Sequence, residues 1–137
     1  MIKIVCDTNI LISTFIFPGG PPEEIFHSVL RQEYKLGIST PILEEFKKVL
    51  RIKFTWPEDK ITEIADLIQR NSVKVTSKHQ VKLIHDEPDN RILECAEEFK
   101  ADYIISGDKH ILKLKMFKNM KIRLASDFLK EISLLKD

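Results

Sequence analysis

The chain has little cysteine, little glycine and no long apolar run. Its 137 residues include two cysteines and four glycines. Cys6 and Cys95 have the spacing of neither a redox pair nor a zinc knuckle, so we expect two buried free thiols. The glycines form no phosphate-binding loop, and no apolar run approaches the ~20 residues that span a bilayer. These absences argue against thiol redox enzymes, P-loop nucleotide-binding proteins and membrane-spanning proteins.

Histidine and net charge limit the function classes further. The four histidines include no i, i+4 pair, which argues against a histidine zinc site. A formal net charge of +1 gives no sign of a large basic surface, although it says nothing of local patches. One lysine precedes a short first apolar run, so we expect no signal peptide and a cytoplasmic protein. The length predicts one domain over residues 1–137.

Strands and helices are predicted to alternate along the chain. The expected strands span residues 2–6, 36–39, 72–76, 102–106 and 120–124. The expected helices span residues 9–15, 22–34, 41–54, 55–70 and 88–99, with a short helix after Asp108 and a last helix from Ser126. Thr40 is the expected cap of the helix that begins at Pro41, and Thr55 with Glu58 resembles a capping box. The alternation predicts a parallel sheet with helices on both faces.

Two aspartates directly follow predicted strands. Asp7 ends the run Ile2–Cys6, and Asp108 follows the strand 102–106 after Gly107. Open α/β sheets bind ligands in the crevice at the carboxyl ends of their strands, which predicts a shared acidic site. The alternative is that each aspartate only caps the helix that follows it.

Helix geometry selects two further acids. At ~100° per residue, Glu45 lies at the edge of the apolar stripe of its helix beside Val49, whereas Glu44 points toward water. On the helix predicted over residues 88–99, Asp89 falls on the buried face in the first turn. A solvated edge for Glu45 and a simple dipole interaction for Asp89 are the alternatives. Asp86 and Glu87 are expected to serve as cap-region residues.

Two strand-end acids and two inward-leaning helix acids supply oxygen ligands without histidine or cysteine, and such a set suits Mg²⁺ or Mn²⁺. Clustered carboxylates repel one another unless a cation lies among them. A bound metal can activate water and stabilise charge on a phosphoryl group, so the residues favour metal-assisted phosphodiester hydrolysis. The sequence has no GxSxG elbow and no cysteine with a plausible partner histidine, so nothing in it supports a covalent route.

Four segments together resemble the PIN-domain nucleases, in order and across nearly the whole chain. They are Asp7-Thr-Asn-Ile-Leu-Ile-Ser, Ser39-Thr-Pro-Ile-Leu-Glu-Glu-Phe, Pro88-Asp-Asn-Arg-Ile-Leu-Glu and Ala101-Asp-Tyr-Ile-Ile-Ser-Gly-Asp-Lys. The resemblance implies a three-layer α/β/α sandwich with a central parallel sheet. It also implies a Mg²⁺- or Mn²⁺-dependent ribonuclease that leaves 5′-phosphate and 3′-hydroxyl ends.

The resemblance assigns roles residue by residue. The positions that match the family's acidic, metal-binding and catalytic quartet are Asp7, Glu45, Asp89 and Asp108. Asn9 and Ser106 match polar positions that support the site through hydrogen bonds. Many relatives have an acid two residues after the last aspartate, where this chain has His110, and this departure puts a second metal in doubt.

Small PIN domains are similar to the VapC-type toxins of toxin-antitoxin pairs. That likeness implies an RNA substrate, a cognate antitoxin and a homodimer. An RNA-processing nuclease without an antitoxin and a non-catalytic PIN-like binding module are the alternatives. An aspartyl-phosphate phosphatase is a further alternative, but its pattern requires an aspartate where this chain has Asn9.

A basic segment follows the last acid of the quartet. Residues 109–126 contain six lysines and arginines and no acid. Lys109, Lys113 and Lys115 are the residues expected to bind RNA phosphates beside the cleavage site. The alternative is a solvated surface, since lysine-rich runs are common there.

Overall fold

A six-stranded sheet forms the centre of the computed structural model, which describes residues 1–136. The strands are β1 (Ile2–Cys6), β2 (Tyr34–Ile38), β3 (Val73–Lys74), β4 (Tyr103–Ile105), β5 (Met116–Phe117) and β6 (Met120–Arg123). The helices are α1 (Thr8–Ile16), α2 (Pro21–Leu30), α3 (Thr40–Ile52), α4 (Glu58–Arg70), α5 (Glu87–Phe99), α6 (Lys109–Leu112) and α7 (Ala125–Lys136). The strand order is β3-β2-β1-β4-β6-β5, parallel except where β5 pairs with β6.

Helices cover both faces of the sheet, as the α/β/α prediction requires. On one face the Phe128 ring of α7 contacts Tyr34 and Tyr103 edge-on, at centroid distances of 5.4 and 4.9 Å. On the other face α5 lies close enough to β2 that only a glycine fits at position 37, opposite Phe99. Strand side chains alternate between faces, so each strand of the centre contributes to both apolar layers. No described helix has the length and apolar character needed to cross a membrane.

Both cysteines are buried free thiols, as predicted. Cys6 is 5% exposed on β1 and Cys95 is 1% exposed on α5. Burial raises the pKa of each thiol well above its ordinary value, to about 12 for Cys95. Both therefore remain protonated and unreactive at neutral pH.

Two predicted boundaries, of α2 and α3, are wrong. The helix predicted to reach Tyr34 ends at Leu30, because Gln32 takes a φ of 62° and turns the chain into β2. Tyr34 is instead a buried strand residue packed against α7. The cap position of α3 is occupied by Ser39, whose side chain makes no capping bond, so Thr40 is already helical.

The capping box at Thr55 does not form. The cap position of α4 is Pro57, and Thr55 has a φ of 50° and donates its hydroxyl to the Phe54 carbonyl. Glu58 pairs with Arg51 of α3 and does not reach back to a cap. Glu58 therefore links α4 to α3, although the local pattern had assigned it to the capping box.

The sequence also did not indicate β5. It is a two-residue edge strand joined to β6 by a tight turn in which Lys118 has a φ of 55°. Its positions lie in the basic segment, where charge conceals the apolar alternation. The parallel sheet thus ends in one antiparallel hairpin.

Gly37→Ala should destabilise the fold. A Cβ at this position would lie 2.4 Å from Phe99 Cδ2 and 2.7 Å from its Cγ. We expect a loss of about 1–3 kcal/mol in the free energy of unfolding, measured by urea denaturation. Adding Phe99→Leu should cost less than the sum of the two single changes. Strict additivity would show that the contact with Phe99 is not the cause.

Candidate functional site

The candidate site lies where the strand order reverses. The chain passes from β1 outward to β2 and β3, whereas β4 and β6 lie on the other side of β1. The carboxyl ends of β1 and β4 are joined by a 3.0 Å hydrogen bond from the Asp7 amide to the Ile105 carbonyl. Open α/β sheets bind ligands at this topological switch point.

Asp7 is held firmly at the end of β1. Its side chain is buried, and Oδ1 accepts a 2.8 Å hydrogen bond from the Ile10 amide at the start of α1. Oδ2 accepts a short hydrogen bond from the Ser106 hydroxyl, which follows β4. Burial raises the pKa of Asp7, while the bonds from Ser106, Ile10 and the Gly107 backbone oppose that rise. The carboxylate is thus fixed in direction by three donors.

Asp108 is fixed by the same serine and by its own helix. Its amide donates to Ser106 Oγ at 3.0 Å, and its Oδ1 accepts from the His110 and Ile111 amides at 2.8 and 3.2 Å. Both strand-end aspartates therefore cap helices, as the capping alternative proposed. The capping contacts use Oδ1 in each case, which is compatible with a second role for the carboxyl group.

The two glutamates of α3 differ as the helix geometry predicts. Glu45 is half-buried and lines the same cleft as Asp7 and Asp108. Glu44 is exposed and pairs with Lys47 at 3.1 Å on the solvent side. Only Glu45 can approach a ligand bound between the strand ends.

Asp89 is a buried acid of the cleft with a perturbed carboxyl group. It is 9% exposed in the first turn of α5, and its Oδ2 has no hydrogen-bond partner among the described residues. Burial, together with the negative charges of Asp108, Asp86 and Asp7, raises the pKa of Asp89 to about 7. A buried carboxylate oxygen without a partner is costly, so this position favours a proton or a cation.

One small cleft unites the four predicted acids. It has a volume of about 140 Å³. Its acidic lining residues are Asp7, Glu45, Asp86, Asp89 and Asp108. Asp86 was predicted only as a cap, yet its side chain makes no capping bond and faces this cleft. Its position just before Pro88-Asp89 was the signal that could have identified it.

The predicted supporting residues differ in what they do. Ser106 is fully buried and links Asp7 to Asp108. Asn9 is exposed on the wall of the cleft, and within residues 1–136 no hydrogen bond joins its side chain to the acids. His110 is exposed and lines a neighbouring pocket with His85.

The basic segment is divided between ion pairs and unpaired lysines. Lys118 pairs with Glu97, while Lys121 and Arg123 pair with Glu131. Lys109, Lys113 and Lys115 are exposed, and none makes an ion pair with any residue in the described part of the chain. The three lysines predicted to bind phosphate are therefore those that remain unpaired.

A family model for the PIN domain matches residues 3–110. The chain belongs to the PIN-domain family. It is 34% identical over 119 residues to an uncharacterized protein of Methanocaldococcus jannaschii, covering 83% of this chain and 76% of that protein. Its fold is similar to that of a chain in VapBC2 from Rickettsia felis, a complex crystallised with a promoter DNA fragment. That match has a TM-score of 0.65 at 13% identity and covers 88% of this chain and 97% of the other.

PIN domains are generally nucleases and typically use divalent metals. Among residues 1–136, no three carboxylate, histidine or cysteine side chains are close enough together to hold a metal ion as they stand. The unpartnered Asp89 Oδ2 and the all-oxygen lining nevertheless fit a hard cation such as Mg²⁺ or Mn²⁺.

Asp89→Asn should stabilise this PIN domain when metal is absent. Because the pKa of Asp89 is about 7 in the folded state and ordinarily 3.8, the folded state holds its proton more tightly. Stability from this group is therefore complete below pH ~4 and is lost as pH rises through ~7. In EDTA at pH 8 we expect the variant to be more stable by on the order of 1–4 kcal/mol, and near pH 4 we expect equality.

The measurement is chemical unfolding in EDTA from pH 4 to pH 8. Glu63→Gln, on the exposed surface of α4, is the control and should show a small difference at every pH. A pH-independent difference for Asp89→Asn would contradict the strained-carboxylate interpretation.

Proposed function

We propose that this chain is a Mg²⁺- or Mn²⁺-dependent ribonuclease of the cytoplasm. The observation that carries the proposal is the unpartnered, buried oxygen of Asp89 inside an acidic cleft at the switch point of the sheet. The residues that would hold the metal and carry the chemistry are Asp7, Glu45, Asp89 and Asp108. Membership of the PIN-domain family supports the nuclease class.

When bound, the metal would lower the pKa of a water molecule and offset charge on the phosphoryl group. The protein holds the acids for that task. Ser106 orients Asp7, and the helix amides orient Asp108, so neither carboxylate has to reorganise as charge develops. Asp89, with a pKa near neutrality, is suited to release its proton when a cation arrives. Lys109, Lys113 and Lys115 bind phosphates of the RNA beside the cleft.

We also propose that this chain acts as the toxin of a toxin-antitoxin pair. The fold likeness to a chain of the Rickettsia felis VapBC2 complex supports this role. An RNA-processing nuclease without an antitoxin is the second candidate. Retention of all four acids disfavours a non-catalytic PIN-like module, and Asn9 disfavours a phosphatase, because a carboxylate would be required there.

Cleavage of an end-labelled structured RNA tests the nuclease proposal. We expect cutting with Mn²⁺ or Mg²⁺, none in EDTA, and a loss of about a hundredfold or more in Asp7→Asn, Asp89→Asn and Asp108→Asn. Glu45→Gln should lose activity strongly, whereas Glu44→Gln, one residue away and paired with Lys47, should change it less than about twofold.

Each variant is purified identically and checked for folding by circular dichroism. Equal losses in the two glutamate variants would refute the assignment of Glu45. Absence of cutting in every condition would favour a binding module.

A homodimer through the α2–α7 face completes the proposal. The groove between these helices is lined by Tyr34, Leu129 and Ile132, and Leu134 beside them is 75% exposed. Leu134→Glu should convert a dimer to a monomer in light scattering at micromolar concentration. The matched control is Ile52→Glu, since Ile52 is 67% exposed at the end of α3 and does not line this groove. A monomeric natural chain would refute the dimer.

A further inference from the structure

A second cationic segment lies beside the cleft. Residues 74–85, here called the cationic arm, join β3 to α5 and contain no acid. Its charged and titratable members are Lys74, Lys78, His79, Lys82 and His85. All five are exposed, and none makes an ion pair with another described residue. This differs from the segment after Asp108, where half of the basic residues are engaged by glutamates.

The arm has almost no regular structure, yet α5 holds it at two points. Asn90, fully buried, accepts from the Ile84 amide at 2.8 Å and donates to the Ile84 carbonyl at 2.6 Å. Glu94 accepts from the Val81 amide at 2.7 Å, and Arg91 donates to the Val81 carbonyl at 3.3 Å. Arg91 and Glu94 are themselves paired at 2.8 Å. Side chains thus satisfy the backbone as a neighbouring strand would, and they fix the path of the arm.

The two ends of the arm place it at the edge of the sheet that carries the acids. At its start, Lys74 is in register with Ile38 at the carboxyl end of β2. At its end, His85 lines a pocket of about 520 Å³ with Asp86 and His110. Asp86 also lines the acidic cleft, so the pocket and the cleft share a wall. Both ends of the arm therefore lie at the edge of the sheet that carries the cleft, and the chain between them is held against α5.

We propose that the cationic arm binds the phosphate backbone of the RNA strand that enters the cleft, with Lys78 and Lys82 as phosphate contacts. The inference rests on the proposed ribonuclease function and extends it. An acidic cleft repels a polyanion, so cations at its border are needed to hold the strand. A nucleic acid fits this surface better than a protein partner does, because lysine is depleted from protein interfaces and the arm contains no phenylalanine, tyrosine or tryptophan.

The test compares two variants with equal changes of charge. Lys78→Gln with Lys82→Gln removes two charges from the arm. Lys35→Gln with Arg70→Gln removes two charges from a surface pocket beside Met1, at the opposite edge of the sheet. Both pairs are made in the Asp7→Asn background, and affinity for a fluorescent single-stranded RNA is measured by anisotropy from 50 to 200 mM KCl. Equal net charge isolates the effect of position.

For the arm variant we expect an affinity loss of about tenfold at the lowest salt concentration. The slope of log K against log[KCl] should become shallower by about 1.4, since each contact with single-stranded RNA contributes about 0.7. The control should change both quantities much less. Equal effects in the two variants, or none in either, would overturn the proposal, and the second result would leave the arm to a protein partner.

The same variants in the active chain separate this inference from the ribonuclease proposal. If metal-dependent cleavage is intact and RNA binding does not depend on the arm, the proposal for the arm is refuted and the ribonuclease proposal is retained. If RNA binding depends on the arm but no cleavage occurs, the proposal for the arm is supported and the ribonuclease proposal is refuted.

Discussion

The hydrogen bond from Ser106 to Asp7 is the contact on which the acidic site depends. It joins residues 99 positions apart in the chain and ties the end of β1 to the end of β4. Because Ser106 also accepts from the Asp108 amide, one buried hydroxyl sets the positions of two carboxylates. The sheet supplies this arrangement: parallel pairing of β1 with β4 brings both strand ends to the same edge. A shift of register there would separate the acids.

The acids at the carboxyl ends of the strands carry a cost in stability. The fold buries Asp89 with an oxygen that no described group satisfies, and Asp7, Asp86 and Asp108 lie close enough to raise its pKa. An apolar residue at that position would avoid the cost. Retention of a carboxylate among others is understandable when a cation binds there, since the cation relieves burial and repulsion together.

Local patterns predicted the parts of the protein that local physics determines. The strand-end positions of Asp7 and Asp108 followed from apolar runs, and the orientation of Glu45 followed from helical periodicity. Contacts distant in sequence decided the rest. Arg51 pairs with Glu58, which is therefore not free for the predicted capping box. Asn90 binds the backbone of Ile84 and fixes the path of a segment for which the sequence predicted no regular structure. Neither contact has a signature within a short window of sequence.

The net charge of +1 conceals how strongly the charges are separated. Five acids surround one cleft, while unpaired lysines lie in the segment that follows Asp108 and in the arm that leads to Asp86. The electric fields of the acidic cleft and of the lysines are screened within about 10 Å in 0.1 M salt, so they act mainly on a ligand that is already at the surface. The nucleic-acid strand proposed as substrate fits this separation of charge, because its phosphates can contact the lysines while its scissile bond lies at the acids. Charge summed over the chain therefore says less about the ligand than charge resolved along the sheet edge.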